Sequence, residues 1–185
     1  MRLSARYCDF DVIVEIGTHF GGTLACWAEL TRDRLDALVI GIDLPCGEGG
    51  PAEWGGLDRD RSVRRNDRVE QQYPHVRNIL GNSQHASTVN ALLLLLDGRA
   101  IDFLFIDGDH TYPGVSTDYT LYAPLVRPGG VIAFHDVNPC IKATQQSFAV
   151  PEFFDSLRGE RAVFSVNADW GGIGALRVPS PATDF

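Results

Sequence analysis

The sequence predicts a doubly wound α/β fold: a mostly parallel sheet with helices on both faces and an antiparallel hairpin at its C-terminal end. Three observations predict it. Short apolar, β-branched runs alternate with helix-length segments along the chain. One of these runs, "IDFLFIDG", is apolar on both faces, as a central parallel strand is. The last segment, "RAVFSVNADWGGIGALRV", instead holds two strand-like runs around the turn "DWGG". The 185 residues suffice for one domain with a sizeable core and are too few for two ordinary ones, so residues 1–185 read as a single domain.

In chain order, "DVIVEIG" (11–17) is the first strand, "GGTLACWAELTRDR" (21–34) a helix and "ALVIGIDL" (37–44) the second strand. "PCGEGGPAEWGG" (45–56) is too glycine-dense for regular structure and reads as a loop. "DRDRSVRRNDRVEQQY" (58–73) is a polar surface helix ended by Pro74. "VRNILGN" (76–82) is the third strand, and "ASTVNALLLLLDG" (86–98) is a helix stopped at Gly98. "IDFLFIDG" (101–108) is the fourth strand, with Asp102 assigned to the preceding turn. A helix is expected over 114–126, "RPGG" turns the chain into a fifth strand "VIAFHDV" (131–137), and a further helix is expected over about 140–158.

Composition narrows the function classes. A net charge of −8 argues against nucleic acid as the main partner, because phosphate binding needs a basic face. The arginines of "RDRSVRRNDR" are interleaved with Asp60 and Asp67, which reads as a solvated helix face. The four cysteines, Cys8, Cys26, Cys46 and Cys140, form no C-x-x-C pair. Neither a zinc site nor a disulfide framework is expected, and Cys26 is expected in the core. "ALLLLL" is too short to span a bilayer and the first ten residues lack a signal-peptide apolar region, so a soluble cytoplasmic protein is expected.

Ligands of doubly wound sheets bind at the carboxyl ends of the strands. The first strand ends in "EIGTHFGG", whose Gly17, Gly21 and Gly22 permit a tight turn pressed close to a ligand at a helix start. Packing of strand on helix explains the same glycines equally well. Asp43 closes the second strand, placed to accept hydrogen bonds from ribose hydroxyls or to cap its own loop. Asn82, Ser83 and Gln84 follow the third strand, able to bond a purine edge or simply to form a turn. Asp107 and Asp136 close the fourth and fifth strands, with His135 beside the second. Carboxylates on one rim repel unless a cation or proton intervenes. Oxygen ligands suit Mg²⁺, and a histidine admits softer metals. The alternative is that these acids cap helices or pair with arginines.

"EIGTHFGGT", "GIDL", "GNSQ", "FLFIDGDHTYPGVSTDY" and "PLVRPGGVIAFHDV" resemble, in order, the motifs of class I S-adenosylmethionine-dependent methyltransferases. The closest likeness is to the subgroup of cephalosporin-biosynthesis and macrolide-sugar O-methyltransferases, over about residues 11–178. The resemblance implies a Rossmann-like S-adenosylmethionine-binding domain. It implies that Glu15, Gly17, Thr18 and Gly21 surround the methionine part of the cofactor, that Asp43 holds the ribose, and that Asn82 and Ser83 lie near the adenine. It further implies a divalent metal, Mg²⁺ first among candidates, on Asp107, His135 and Asp136, with His110 as general base. Where metal-dependent relatives often carry an acid followed by an acid or amide, this chain has His135–Asp136.

The expected reaction is methylation of a hydroxyl on a small molecule, a sugar or natural product, with Asp107 and His110 catalytic. A metal-dependent hydrolase using Asp107, His110, His135 and Asp136 leaves the glycine loop and Asp43 without a job. A non-catalytic nucleoside-binding protein is the other alternative. The short stretch ahead of the first strand predicts no helical cap over the substrate. The 45–56 loop, with Trp54 as an apolar contact, or partner subunits of a homo-oligomer are expected to close the pocket instead, while Trp170 is expected to pack.

Overall fold

The computed structural model describes residues 10–45, 59–138, 148–164 and 171–180, with side chains from 65 onward in the second stretch. Five parallel strands form the body of the sheet: β1 (Val12–Ile16), β2 (Leu38–Asp43), β3 (Val76–Leu80), β4 (Ile101–Ile106) and β5 (Val126–His135). β6 (Arg161–Phe164) and β7 (Ile173–Arg177) add antiparallel strands, and the order across the sheet is β3-β2-β1-β4-β5-β7-β6. The doubly wound expectation and its antiparallel end are therefore correct. The chain reverses its direction of travel across the sheet between β1 and β4, which in such folds opens a crevice at the carboxyl ends of the strands.

The helices are α1 (Gly22–Thr31), α2 (Arg59–Gln72), α3 (Ala86–Leu96), α4 (Tyr112–Tyr122) and α5 (Val150–Ser156). Alternation along the strands sends side chains to two apolar layers. Ile13, Val39 and Val76 pack with Leu24 and Ala28 of α1 on one face. Val14, Ile40, Leu104, Ile132 and Phe134 pack with Leu92, Val115, Tyr122 and Phe153 on the other. β1, buried at every position, is the shared wall of both layers.

Local departures from the sequence expectation have local causes. α4 starts at Tyr112 because Thr111 caps it, its hydroxyl accepting from Gly114 N–H at 3.1 Å, and Pro113 is tolerated in the first turn. α4 gives way to a 3₁₀ turn at Ala123–Leu125, and β5 begins at Val126, absorbing "RPGG" through a register shift against β4. Asp97, itself left-handed at φ 47°, takes the capping position of α3 one residue before Gly98. Cys26 is exposed rather than core, because α1 buries Leu24, Ala28 and Thr31 and Cys26 lies on the opposite side. Of the segment expected as a helix over 140–158, the described part is helical at Val150–Ser156; the expected 45–56 lid beyond Pro45, with Trp54, and Trp170, Cys8, Cys46 and Cys140 lie outside the described residues. No helix among the described residues is long and apolar enough to cross a membrane.

Asp102 lies within β4, not in the turn before it, and anchors the end of the sheet away from the crevice. Its Oδ2 accepts from Asp11 N–H at 2.8 Å and Val12 N–H at 2.7 Å, while Oδ1 accepts from the Arg127 guanidinium. Burial alone raises a carboxyl pKa, but Arg127 and the two backbone donors pull that of Asp102 below the ordinary carboxylate value. One side chain thus ties β1, β4 and β5. Asp102→Ala is expected to lower unfolding stability by about 2 kcal/mol, read by denaturant titration at neutral pH. A change indistinguishable from zero would show that the three bonds contribute nothing net.

Candidate functional site

The strand ends are brought level by backbone hydrogen bonds: Gly17 N–H to Ile42 O, Gly81 N–H to Asp43 O and Asp107 N–H to Ile16 O, each 2.8 Å. These bonds place Gly17, Asp43 and Asp107 along one rim. Gly17 has φ +86°, and a Cβ there would lie 2.1 Å from the Asp107 carbonyl oxygen. A side chain at 17 would push the ends of β1 and β4 apart, so the glycine is required by the strand approach itself.

Asp43 braces the loop between β1 and α1. Its Oδ2 accepts from Thr18 Oγ1 at 3.1 Å and from His19 N–H at 2.7 Å, and Oδ1 accepts from Leu44 N–H at 2.8 Å. The capping reading of Asp43 therefore holds. A carboxylate has about four acceptor sites, so ribose hydroxyls remain chemically compatible with it. Asn66 of α2, buried at 2% exposure, donates from Nδ2 to Thr18 Oγ1 at 2.7 Å, so this loop is held from both sides. Gly21 is left-handed at φ +70°, and a Cβ there would meet Asn66 Oδ1 at 2.3 Å.

Glu15, 1% exposed, lies one residue before the end of β1. Burial first, and then the Asp107 carboxylate, push its pKa up to about 8, with the Trp27 indole pulling partly back. Its Oε2 has no hydrogen-bond partner among the described residues.

Beyond β4 and β5, two imidazoles stand between two carboxylates. His110 Nε2 lies 2.9 Å from Asp107 Oδ1 and His110 Nδ1 lies 3.3 Å from Asp136 Oδ2. His135 Nδ1 lies 3.1 Å from Asp136 Oδ1 and 3.5 Å from Asp107 Oδ1. The hydrogen bond with Asp136 raises the His135 pKa against the opposing effect of burial, and both carboxylates add to the rise. His110 has a side chain 9% exposed and His135 one 38% exposed. Asp136 adopts φ 59°, unusual for a non-glycine residue, with its N–H bonded to Gly172 O at 2.9 Å.

The donor atoms of Asp107, His110 and Asp136 all lie within 4.8 Å of one another. Two carboxylate oxygens and an imidazole nitrogen suit a hard-to-borderline divalent cation, so the residues present fit such an ion. The trio differs from the expected one in that buried His110 stands where His135 was expected.

An open cleft of about 260 Å³ beside β3 is lined by Pro45, Leu80, Asn82, His85 and Ser87, among others. Asn82 forms a turn, its Oδ1 accepting from Gln84 N–H at 2.9 Å. Ser83 points inward instead: its hydroxyl donates to Asp118 Oδ1 at 2.7 Å. Asp109 likewise has a local job, accepting from Thr111 N–H at 2.9 Å at the start of α4.

His19, Asn66 and Asp118 were not singled out from the sequence. A signal for two of them exists in retrospect. Asn66 stands three and seven residues before Val69 and Tyr73, and Asp118 three after Val115 and four before Tyr122. Each is a polar residue on the buried stripe of an otherwise amphipathic helix.

A family model described as a methyltransferase domain matches residues 14–137. The uncharacterized protein R132 of Acanthamoeba polyphaga mimivirus is 33% identical over 124 residues, which is 66% of this chain and 50% of that protein. The chain thus spans half the length of that relative. Among solved structures, an O-methyltransferase family protein from Burkholderia thailandensis superposes with a TM-score of 0.62 at 13% identity, covering 97% of this chain and 54% of that one. A TDP-rhamnose 3'-O-methyltransferase of calicheamicin biosynthesis gives 0.59 at 16% identity, covering 90% and 71%. An O-methyltransferase from Bacillus cereus in complex with SAH gives 0.59 at 18% identity, covering 91% and 74%. At these identities the structural likeness establishes the fold.

The Glu15 carboxyl keeps its proton to about pH 8 when folded and loses it near pH 4.5 when unfolded. The folded state therefore binds the extra proton between those values, and stability falls as pH rises through that window. His135, also raised, contributes stability that is lost as pH rises through its folded pKa. Glu15→Gln is expected to flatten the decline between pH 5 and pH 8 without abolishing it, in denaturant titrations at several pH values. Identical declines in the two proteins would exclude Glu15 as a source.

Proposed function

The chain belongs to the methyltransferase-domain family, and from that premise we propose that it is an S-adenosylmethionine-dependent O-methyltransferase that acts on a hydroxyl group of a small molecule, a sugar or natural product, with a divalent cation at the β4–β5 rim. The single observation that carries this reading is the division of labour across the crevice. On one side Asp43 and the glycine loop form a nucleoside-compatible wall; on the other, Asp107, His110, His135 and Asp136 gather proton- and cation-binding groups. The fold likeness to the SAH complex and to the sugar O-methyltransferase supports the same choice of cofactor and acceptor. The net charge of −8 favours a small acceptor over nucleic acid.

When bound, S-adenosylmethionine supplies the methyl group from its sulfonium, and a divalent cation lowers the pKa of an acceptor hydroxyl. The chain's own residues then have separate tasks. Thr18, Gly17 and Gly21 shape the loop for the methionine part, with Glu15 beneath it, while Asp43 holds the ribose and Asn82 flanks the adenine. The uneven exposure of the two histidines supports an exchange of their expected roles. Buried His110, clamped by both carboxylates, is the better cation ligand alongside Asp107 and Asp136. His135, more open to solvent, is the better acceptor of a substrate proton. The acceptor hydroxyl that takes the methyl group would give its proton to the His135 imidazole.

Calorimetry is expected to show binding of S-adenosylhomocysteine, weakened more than about tenfold by Asp43→Ala. A native protein that does not bind it would sink the methyltransferase reading. With an acceptor in hand, EDTA is expected to suppress turnover and Mg²⁺ or Mn²⁺ to restore it; activity indifferent to chelation removes the cation from the proposal. His135→Gln is expected to abolish the acidic limb of the pH–rate profile, whereas His110→Gln weakens Mn²⁺ binding. The reverse pattern would return the base role to His110.

A further inference from the structure

α4 carries a fully buried carboxyl that the methyl-transfer reading leaves unused. Asp118 has 0% exposure, and its Oδ1 accepts the Ser83 hydroxyl at 2.7 Å. The Ser83 carbonyl in turn accepts the Tyr122 hydroxyl, also at 2.7 Å, so one helix grips one residue of the β3–α3 loop at two points. On the opposite side, Asp118 Oδ2 packs on the loop after β4, where a Cβ added to Gly108 would lie 3.2 Å away. Burial is the main cause of a pKa raised to about 6, with the Ser83 hydroxyl partly offsetting it and Asp109 adding to it. An acid is an expensive group to bury for packing alone, since an apolar side chain of the same size would fill the space without the desolvation penalty.

The gripped loop is part of the open cleft. Asn82 and His85 line it, while Ser83 between them turns its side chain away from it toward α4. The position of Asn82 is therefore set by what holds Ser83. We propose that Asp118 is a positioning residue for the adenine side of the cofactor site, fixing the β3–α3 loop through Ser83 so that Asn82 and His85 face the cleft in one arrangement. The inference rests on the methyltransferase reading and gives a task to a residue of the "FLFIDGDHTYPGVSTDY" stretch that this reading leaves without one. It acts through the loop and has no contact with the reacting atoms.

The test is a double-mutant cycle on the full chain, with S-adenosylhomocysteine as probe and calorimetry as readout. Asp118→Ala and Ser83→Ala are each expected to weaken binding about tenfold, and the double variant no further, because both remove the same link. Melting temperature is measured on every protein. Should Asp118→Ala fail to fold, Ser83→Ala together with Tyr122→Phe, which removes the second grip on the same residue, carries the test. Undiminished affinity in the folded variants overturns the proposal. So do additive losses that track the fall in melting temperature, which is the mark of a purely structural acid. A wild-type protein that does not bind S-adenosylhomocysteine overturns the methyltransferase reading and this inference together, whereas binding by wild type with unaffected variants overturns this inference alone.

Discussion

Carboxylates crowd the carboxyl end of this sheet, and their mutual repulsion governs how the site is built. Glu15, Asp43, Asp107 and Asp136 reach the rim from β1, β2, β4 and β5 or from the residues that follow them. Each is handled differently. Glu15 is buried and pushed toward its neutral form, so it adds little negative charge near neutral pH. Asp43 spends its charge on two backbone N–H groups and a hydroxyl. Asp107 and Asp136 remain, and two imidazoles are wedged between them. A pair of acids that needs positive charge nearby is a ready receptor for a cation or for a proton leaving a substrate.

The geometry of that rim depends on how closely β1 and β4 approach. Gly17 lets the Asp107 carbonyl come within a distance no side chain would tolerate, and the Asp107 N–H bond to Ile16 locks the approach. Asp102 holds the same strands at their other end through the backbone of Asp11 and Val12 and through Arg127. The two anchors at opposite ends of β4 keep the crevice walls fixed relative to each other. Under the proposed function, preorganisation of this kind would serve methyl transfer, where alignment of nucleophile, carbon and leaving sulfur is the principal demand.

Much of this was legible in the sequence because it is local. The strand runs show themselves by continuous burial, the rim residues by standing where an apolar run ends, and the hairpin by two runs around one turn. Glu15, Gly17, Asp43, Asp107, His110, His135 and Asp136 all belong to such run-ends, and all fall on the rim. Two positions depart from that local logic. Cys26 reads as a core residue because α1 is apolar on average, but burial follows the helix's phase, which favours Leu24 and Ala28. Asp102 looked like a turn residue because an acid inside a central strand is unfavourable unless Arg127, some 25 residues away, reaches it.

By itself, then, the amino-acid sequence determined the layer architecture, the strand ends and the set of titratable groups gathered there, because periodicity and chain breaks are properties of neighbouring residues. Tertiary structure alone decided which partner each group meets. It turned Ser83 inward to an acid 35 residues on, brought Asn66 across 48 residues to Thr18, and buried His110 while leaving His135 open. Those pairings depend on how α2 and α4 cross the sheet, and helix placement is set by the summed packing of both apolar layers rather than by any local run of residues.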